Sequence, residues 1–434
     1  MLDARGVPLA PEEFRLRFQR IKTKMAGKKA YPVINLREFK GSKEEKMVQK
    51  MFQVITTYPS FVRFINLEIH NCNAEDGTSF SDAYITLQTT YESMRRQKTD
   101  FVTDRPKCEG VEMKDMLNIK ILEKFQEGGV DVIENYDQPG VSQAFNVLLN
   151  FLREIKSHEI GIWKSIDTAS TTSKETLIVT GMAHHLFSRL VPDMKYEVDQ
   201  YAKELPKTCV CGCNSSISEG DTSLGSLGTW HGRVDIMVND TIAVAIGKEP
   251  SDYTEEDDDE PQKKQRKIET DQKCDIRVDV KRHSSVLLDL KVLNQILAEA
   301  ITNGFAQVKK NRSSLSDFLI PTFGATADHI SLCLYDPIND CLLHIFKELK
   351  LWINTHTRYK LNPETIIIIW LFLNFTSFTK KNLASAADLK KSGLHEHLKE
   401  DLYYYREAKE KCVLQPPDGP PWEMTSILVK HPNN

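Results

Sequence analysis

The chain has 434 residues, 40% of them hydrophobic and 27% charged, enough for two or three domains with a buried core. Its formal net charge of −4 excludes a wholly basic surface, so any affinity for nucleic acid must come from a local basic groove. Met1–Phe14 lacks the apolar stretch of a signal peptide, and the longest apolar run, Ile366–Phe375, is far short of the roughly 20 residues that cross a bilayer, so no membrane association is expected.

In chain order, Glu44–Phe61 and Met113–Phe125 carry helical periodicity, and residues 1–135 read as a mainly helical accessory region without a catalytic signature. Gly140–Lys156 spaces its apolar residues as a helix. Ser165–Lys174, rich in Ser and Thr, reads as a loop, and Glu175–Val191 is a second amphipathic helix stopped by Pro192. Lys195–Lys203 alternates like a strand. Trp230–Asn239 and Thr241–Ile246 flank Asn239-Asp240 and predict a hairpin. Ser251–Lys273, an acidic block followed by a basic one, predicts a disordered insertion. Within it Lys263, Lys264, Arg266 and Lys267 offer a nuclear-import signal in an otherwise cytoplasmic protein. Cys274–Lys281 reads as a strand, Leu287–Lys309 as a long helix, and His329–Phe346 as two strands joined by a Pro-Ile-Asn-Asp turn. Asn362 followed by Pro363 and Glu364 opens a buried core helix over 363–378, and residues 381–434 form a charged helix and a proline-rich, poorly ordered tail.

The nine cysteines are an odd number in a chain without a leader, which fits a reducing, intracellular compartment. Cys333 and Cys341 lie in apolar runs and read as core residues. Cys209, Cys211 and Cys213 form C-x-C-x-C, whereas structural zinc sites usually space their cysteines C-x₂-C or wider. His184 and His185 are candidate fourth ligands that nothing in the sequence brings near. A flexible loop with free thiols is therefore expected there, and structural zinc is not.

Phosphate loops, GxGxxG after a strand, HExxH and GxSxG are all missing. A Gly-x-x-Asp (Gly232 to Asp235) does sit on a strand, an Asp-x-Lys (Asp279, Val280, Lys281) on a later one, and Gln295 and Glu299 on the helix that follows. With the order helix, strand, hairpin, strand, helix and two strands, this resembles the PD-(D/E)XK nuclease superfamily over roughly residues 145–380, and also uncharacterised animal proteins with a WHGxxD strand and a QxxAE helix.

The resemblance implies an α/β domain over residues 136–380: a restriction-endonuclease-like mixed sheet flanked by helices. It implies Asp235 and Asp279 as carboxylate ligands of Mg²⁺ or Mn²⁺, Lys281 as the catalytic lysine, Glu175 as a further acid, and Gln295 as a polar neighbour. Lys281 shares a strand face with Asp279 because strand side chains alternate. Lys309, Lys310, Arg312 and His231 are the expected contacts to DNA or RNA. The strand after Asp235 departs from the pattern. It offers Ile246 where an acid is expected, with Lys248 two residues on and Glu249 as an alternative ligand. The expected function is metal-dependent phosphodiester hydrolysis; a non-catalytic nucleic-acid-binding module and a protein-interaction scaffold are the alternatives.

Overall fold

The computed structural model describes residues 35–58, 62–88, 110–172, 174–247, 290–354 and 360–412. Asp279, Lys281, Glu249, the insertion at 251–273 with its basic run, and the tail from Gln415 lie outside them. In chain order the strands are β1 (Arg63–Asn66), β2 (Glu68–Cys72), β3 (Ile85–Gln88), β4 (Gly110–Glu112), β5 (Tyr196–Asp199), β6 (Glu219–Gly220), β7 (Ser223–Gly225), β8 (Gly232–Arg233), β9 (Ile236–Val238), β10 (Ile242–Ile246), β11 (Ile320–Ala325), β12 (His329–Asp336), β13 (Cys341–Ile345), β14 (Leu349–Lys350) and β15 (Lys409–Glu410). The described helices of seven or more residues are α1 (Lys43–Thr57), α2 (Ile119–Glu134), α3 (Pro139–Arg153), α4 (Ile155–Thr172), α5 (Thr176–Met182), α6 (Leu290–Lys310) and α7 (Pro363–Leu373).

One mixed sheet runs β4-β1-β13-β12-β11-β10-β9-β5-β6, with β14 added beside β12. Among its pairs β10–β11 and β5–β6 are parallel and the rest antiparallel. The hairpin β9–β10 turns at Asn239 and Asp240, both at φ 51°, the left-handed conformation that a tight two-residue hairpin requires. The N-terminal region, expected to be mainly helical, supplies β1 and β4 to this same sheet, with Phe64 opposite Ile345 and Val111.

Alternation along the strands sorts side chains into two cores. Ile236, Val238, Ile242 and Val244 join the larger one with helices α1 to α5 and α7, while Met237, Ala243 and Ala245 face α6. The small alanines, together with Gly324 and Gly304, let α6 lie close to the sheet. A Cβ at Gly324 would stand 2.5 Å from the Ile296 side chain, and one at Gly304 2.8 Å from the Tyr335 ring. On the other face, α7 is buried all round, its N-terminus capped by Asn362 Oδ1 accepting from the Glu364 N–H at 3.1 Å, as its sequence signature requires. Among the described residues no helix is long and apolar enough to cross a membrane.

Ser165–Thr172 of the expected loop are instead the last part of α4. Ile162, Ile166 and Ala169 form a buried stripe that outweighs the Ser/Thr preference for turns. The hydroxyls remain compatible with the helix by donating back to carbonyls one turn earlier, Ser165 to Gly161 at 3.0 Å and Ser170 to Ile166 at 2.9 Å.

Candidate functional site

Two clusters of potential ligands form at neighbouring places in the fold. The first lies where a strand changes sheets. The chain leaves β8, which pairs with β7 in a small three-stranded sheet, and enters β9 of the large one; Val234 and Asp235 occupy the crossing. Thr222 secures it, its hydroxyl donating to the Val234 carbonyl at 2.6 Å. Asp235 is partly open to solvent, and its Oδ2 accepts the Ile246 N–H at 2.7 Å. Asp199 follows in register at the end of β5, its N–H donating to the Asp235 carbonyl at 3.3 Å. Above them α6 presents Gln295 and Glu299, joined by a 2.9 Å hydrogen bond from Gln295 Nε2 to Glu299 Oε1.

Among the described residues, the electrostatics of Asp235 and Glu299 are those of acids lacking counter-charge. Desolvation pushes Asp235 up to about 6, opposed by the Ile246 N–H and reinforced by the Asp199 charge. Glu299 is wholly buried. Desolvation raises it to about 8, and the Asp235 charge adds to the rise. Its Oε2 has no hydrogen-bond partner among the described residues, nor does the buried Thr322 hydroxyl on β11. Arg233 stands on the rim, its Nε 3.8 Å from Asp199 Oδ1 and its guanidinium 4.3 Å from the centre of the Tyr201 ring.

The structure thus brings Asp235, Glu299 and Gln295 to one end of the sheet, and it leaves other expected residues elsewhere. Glu175 is exposed at the start of α5, whose side chains pack on the opposite face. The helix α6 runs away from Asp235: Asn303 Nδ2 donates to the Thr241 carbonyl at 3.0 Å and Lys310 Nζ to the Asp240 carbonyl at 3.3 Å, at the far end of β10. Lys309 and Lys310 there pair with Glu407 and Glu410, both at 2.6 Å, and Arg312 lies beyond them. Lys309 and Lys310 tie the segment before β15 and β15 itself to α6 at the end away from Asp235. His231 is partly buried, its Nδ1 3.0 Å from the Thr229 carbonyl, beside the fully buried Trp230 whose Nε1 donates to Asn73 at 2.9 Å. The ring hydrogen bonds of both residues run to the protein itself, to the Thr229 carbonyl and Asn73. Ile246 does not occupy an acid's position either, since its side chain packs on the α1–α5 side, while Ala245 lies on the face of Asp235.

The second cluster keeps the expected free thiols but brings them together with a histidine that the sequence did not place nearby. His185, Cys209, Cys211 and Cys213 place one ligand atom each within 4.8 Å of one another, and this group can hold a metal ion. His185 Nε2 lies 3.2 Å from both Cys209 Sγ and Cys211 Sγ. Its position comes from a wide turn, Ala183–Phe187, that continues α5 with π-helical geometry and swings the imidazole toward the loop. The three cysteines belong to no disulfide. Burial lowers the pKa of His185 and of His158 beside it, keeping both imidazoles neutral, the form that donates a lone pair. His184 stands at the edge of the cluster and is shared: its Nε2 lies 3.0 Å from the Arg189 guanidinium and 3.9 Å from Cys213 Sγ. C-x-C-x-C spacing with an adjacent His-His pair was the available signal, but only the packing of α5 against the loop joins segments more than 20 residues apart.

No family model, no curated protein and no solved structure matches the chain.

Proposed function

We propose that the crevice at the end of β9 is the remnant or working centre of a PD-(D/E)XK-like phosphodiesterase, with Asp235 as its primary carboxylate. The observation that carries this reading is a partly exposed Asp235 at the sheet crossing within electrostatic reach of the buried Glu299 on α6, one of whose oxygens has no hydrogen-bond partner among the described residues. Two carboxylates held in electrostatic reach of each other destabilise their shared ionised state, and a divalent cation removes that penalty. The oxygen-only donor set suits Mg²⁺ or Mn²⁺ and matches the orphaned Glu299 Oε2. The order of elements supports it too: α5, then β5, β9 and β10 antiparallel, then α6 returning to a parallel β11.

In this reading Asp235 would hold the cation, and a bound Mg²⁺ or Mn²⁺ would supply Lewis acidity for the phosphate and a lowered pKa for the attacking water. Glu299 shares or shields that charge, Gln295 fixes the Glu299 carboxyl by donating to it, and Arg233 on the rim attracts the phosphate group. Asp279 and Lys281 would complete the set with a second carboxylate and a water-orienting amine. A non-catalytic nucleic-acid-binding role is the second reading. It is favoured by Ala245, which puts a methyl group opposite Asp235 where a second strand carboxylate would sit.

The test is cleavage of labelled single- and double-stranded DNA and RNA with Mg²⁺ or Mn²⁺, comparing wild type with Asp235→Asn and Lys281→Ala. Activity that needs the metal and vanishes in both variants supports the enzyme. No cleavage on any substrate, with salt-dependent binding intact, leaves the binding module. Neither cleavage nor binding rejects both.

A further inference from the structure

We infer that His185, Cys209, Cys211 and Cys213 form a closed structural zinc site that clamps the Leu205–Ser218 loop onto the α4–α5 helical layer. This is independent of any catalytic role for Asp235. A zinc ion bound tetrahedrally at about 2.3 Å from sulfur and 2.0–2.1 Å from nitrogen needs its ligand atoms about 3.5–3.8 Å apart. The four donors, all within 4.8 Å of one another, satisfy that need with small adjustments. Three sulfurs and one imidazole are the soft, borderline set that selects zinc over Mg²⁺ or Ca²⁺. Four protein ligands leave no open position for water, the mark of a structural rather than a catalytic site.

The surroundings are built for this geometry. The loop curls back on itself, with the Cys209 N–H donating to the Ser215 carbonyl at 2.9 Å and the Cys213 N–H to Cys211 Sγ at 3.3 Å, a polarity that suits a thiolate acceptor. Gly212 and Asn214 take left-handed conformations, φ 87° and 58°, which turn alternate residues of a C-x-C-x-C run inward to one centre. Lys164 on α4 donates to the Cys211 carbonyl at 2.7 Å and holds the loop from the helix side. Gly161 leaves room for the ligand ring, since a Cβ there would come within 2.5 Å of His185 Nε2. Three thiolates, one neutral imidazole and Zn²⁺ sum to one negative charge, and the Arg189 guanidinium, 3.0 Å from His184 Nε2, stands in the next layer to offset it.

The rival occupant of such a cluster is a redox disulfide among the three cysteines, which would leave the convergence of His185 on two sulfurs without purpose. The experiment uses the full chain purified under reducing conditions without added chelator. Elemental analysis should find about one zinc per chain, released only when an organomercurial titrates the thiols. Replacement by Co²⁺ should give the visible bands of a tetrahedral site with a charge-transfer intensity of three thiolates. Under the same dialysis Cys211→Ser and His185→Ala should retain at least about tenfold less zinc, and Gly161→Ala should perturb the Co²⁺ spectrum with every ligand in place. If the variants fail to fold, the wild-type zinc count and Co²⁺ spectrum still decide. A folded wild type with no bound zinc, one lighter by two hydrogens per disulfide, or a Co²⁺ spectrum unchanged in Cys211→Ser would overturn the proposal.

Discussion

The acidic crevice and the Cys/His cluster differ in how completely the fold satisfies their donors. At the cluster four ligand atoms from two segments, three of them buried, converge closely enough that an ion there would take all its coordination from the protein. At the crevice hard oxygens are spread over a sheet crossing and a helix, one partly exposed and one buried with an unpaired oxygen. A closed donor set trades ligand affinity for folding stability. An incomplete set on the rim of a sheet keeps positions for water and substrate. The contrast teaches that ligand type and openness, more than the presence of acids, separate a brace from a reactive centre.

The largest effect should come from emptying the closed site. Stripping metal from the wild type, or replacing Cys209 by Ser, should lower unfolding free energy on the order of 3–5 kcal/mol, read by denaturant melts with and without a thiol-reactive chelator. An equal melt in both conditions would erase the distinction between the two clusters.

Next in size is Asp235→Asn, expected to lower any metal-dependent cleavage by about 100-fold or more while leaving zinc content unchanged. A variant that loses both would mean that the crevice and the cluster act as one unit.

The third prediction concerns pH. Burial raises Glu299 from 4.5 to about 8, so between those values the folded state holds a proton that the unfolded state has released. Stability from this group is therefore fully present below pH 4.5 and is lost as pH rises through 8, by at most about 1.4 kcal/mol for each pH unit of that window. Glu299→Gln should flatten this decline in urea titrations across the window, and Mn²⁺ should do the same in the wild type if the crevice binds it. A wild-type stability that climbs with pH over that range, with no change in Glu299→Gln, would deny the acid its strained position.

The smallest effect should follow Lys309→Ala or Lys310→Ala. Their ammonium ends are solvent-accessible, although Glu410 is mostly buried, and each pair should contribute about 1 kcal/mol or less. Their removal should leave the salt dependence of any nucleic-acid binding unchanged, because they sit at the opposite end of α6 from Asp235. A marked loss of binding would move the interface to that end.

Much of this was legible in the chain itself. The helical periodicities of α1 and α3, the long α6, the cap and apolar run of α7, the Asn-Asp hairpin turn and the two strands β12 and β13 with the turn between them all marked real elements, since each reflects local burial on one face or both. The Ser/Thr segment misled because turn preference is a few tenths of a kcal/mol per residue, less than the burial of three apolar side chains in α4. At the candidate site Asp235 was visible from its Gly-x-x-Asp context and Glu299 from its helix face. That α6 holds Glu299 within electrostatic reach of Asp235 was not, because it depends on the strand crossing at Val234–Asp235.

What the sequence alone determined is therefore short-range: helices and strands, the buried α7, the cysteine run, and the acids available for chemistry. The tertiary structure decided which of these meet. It placed β1 and β4 in the central sheet, carried Lys309 and Lys310 away from Asp235, and set His185 against three cysteines more than 20 residues further along. Local patterns record how one face of an element meets water or core. Meetings between distant segments arise from the packing of whole layers, which no short stretch of sequence encodes.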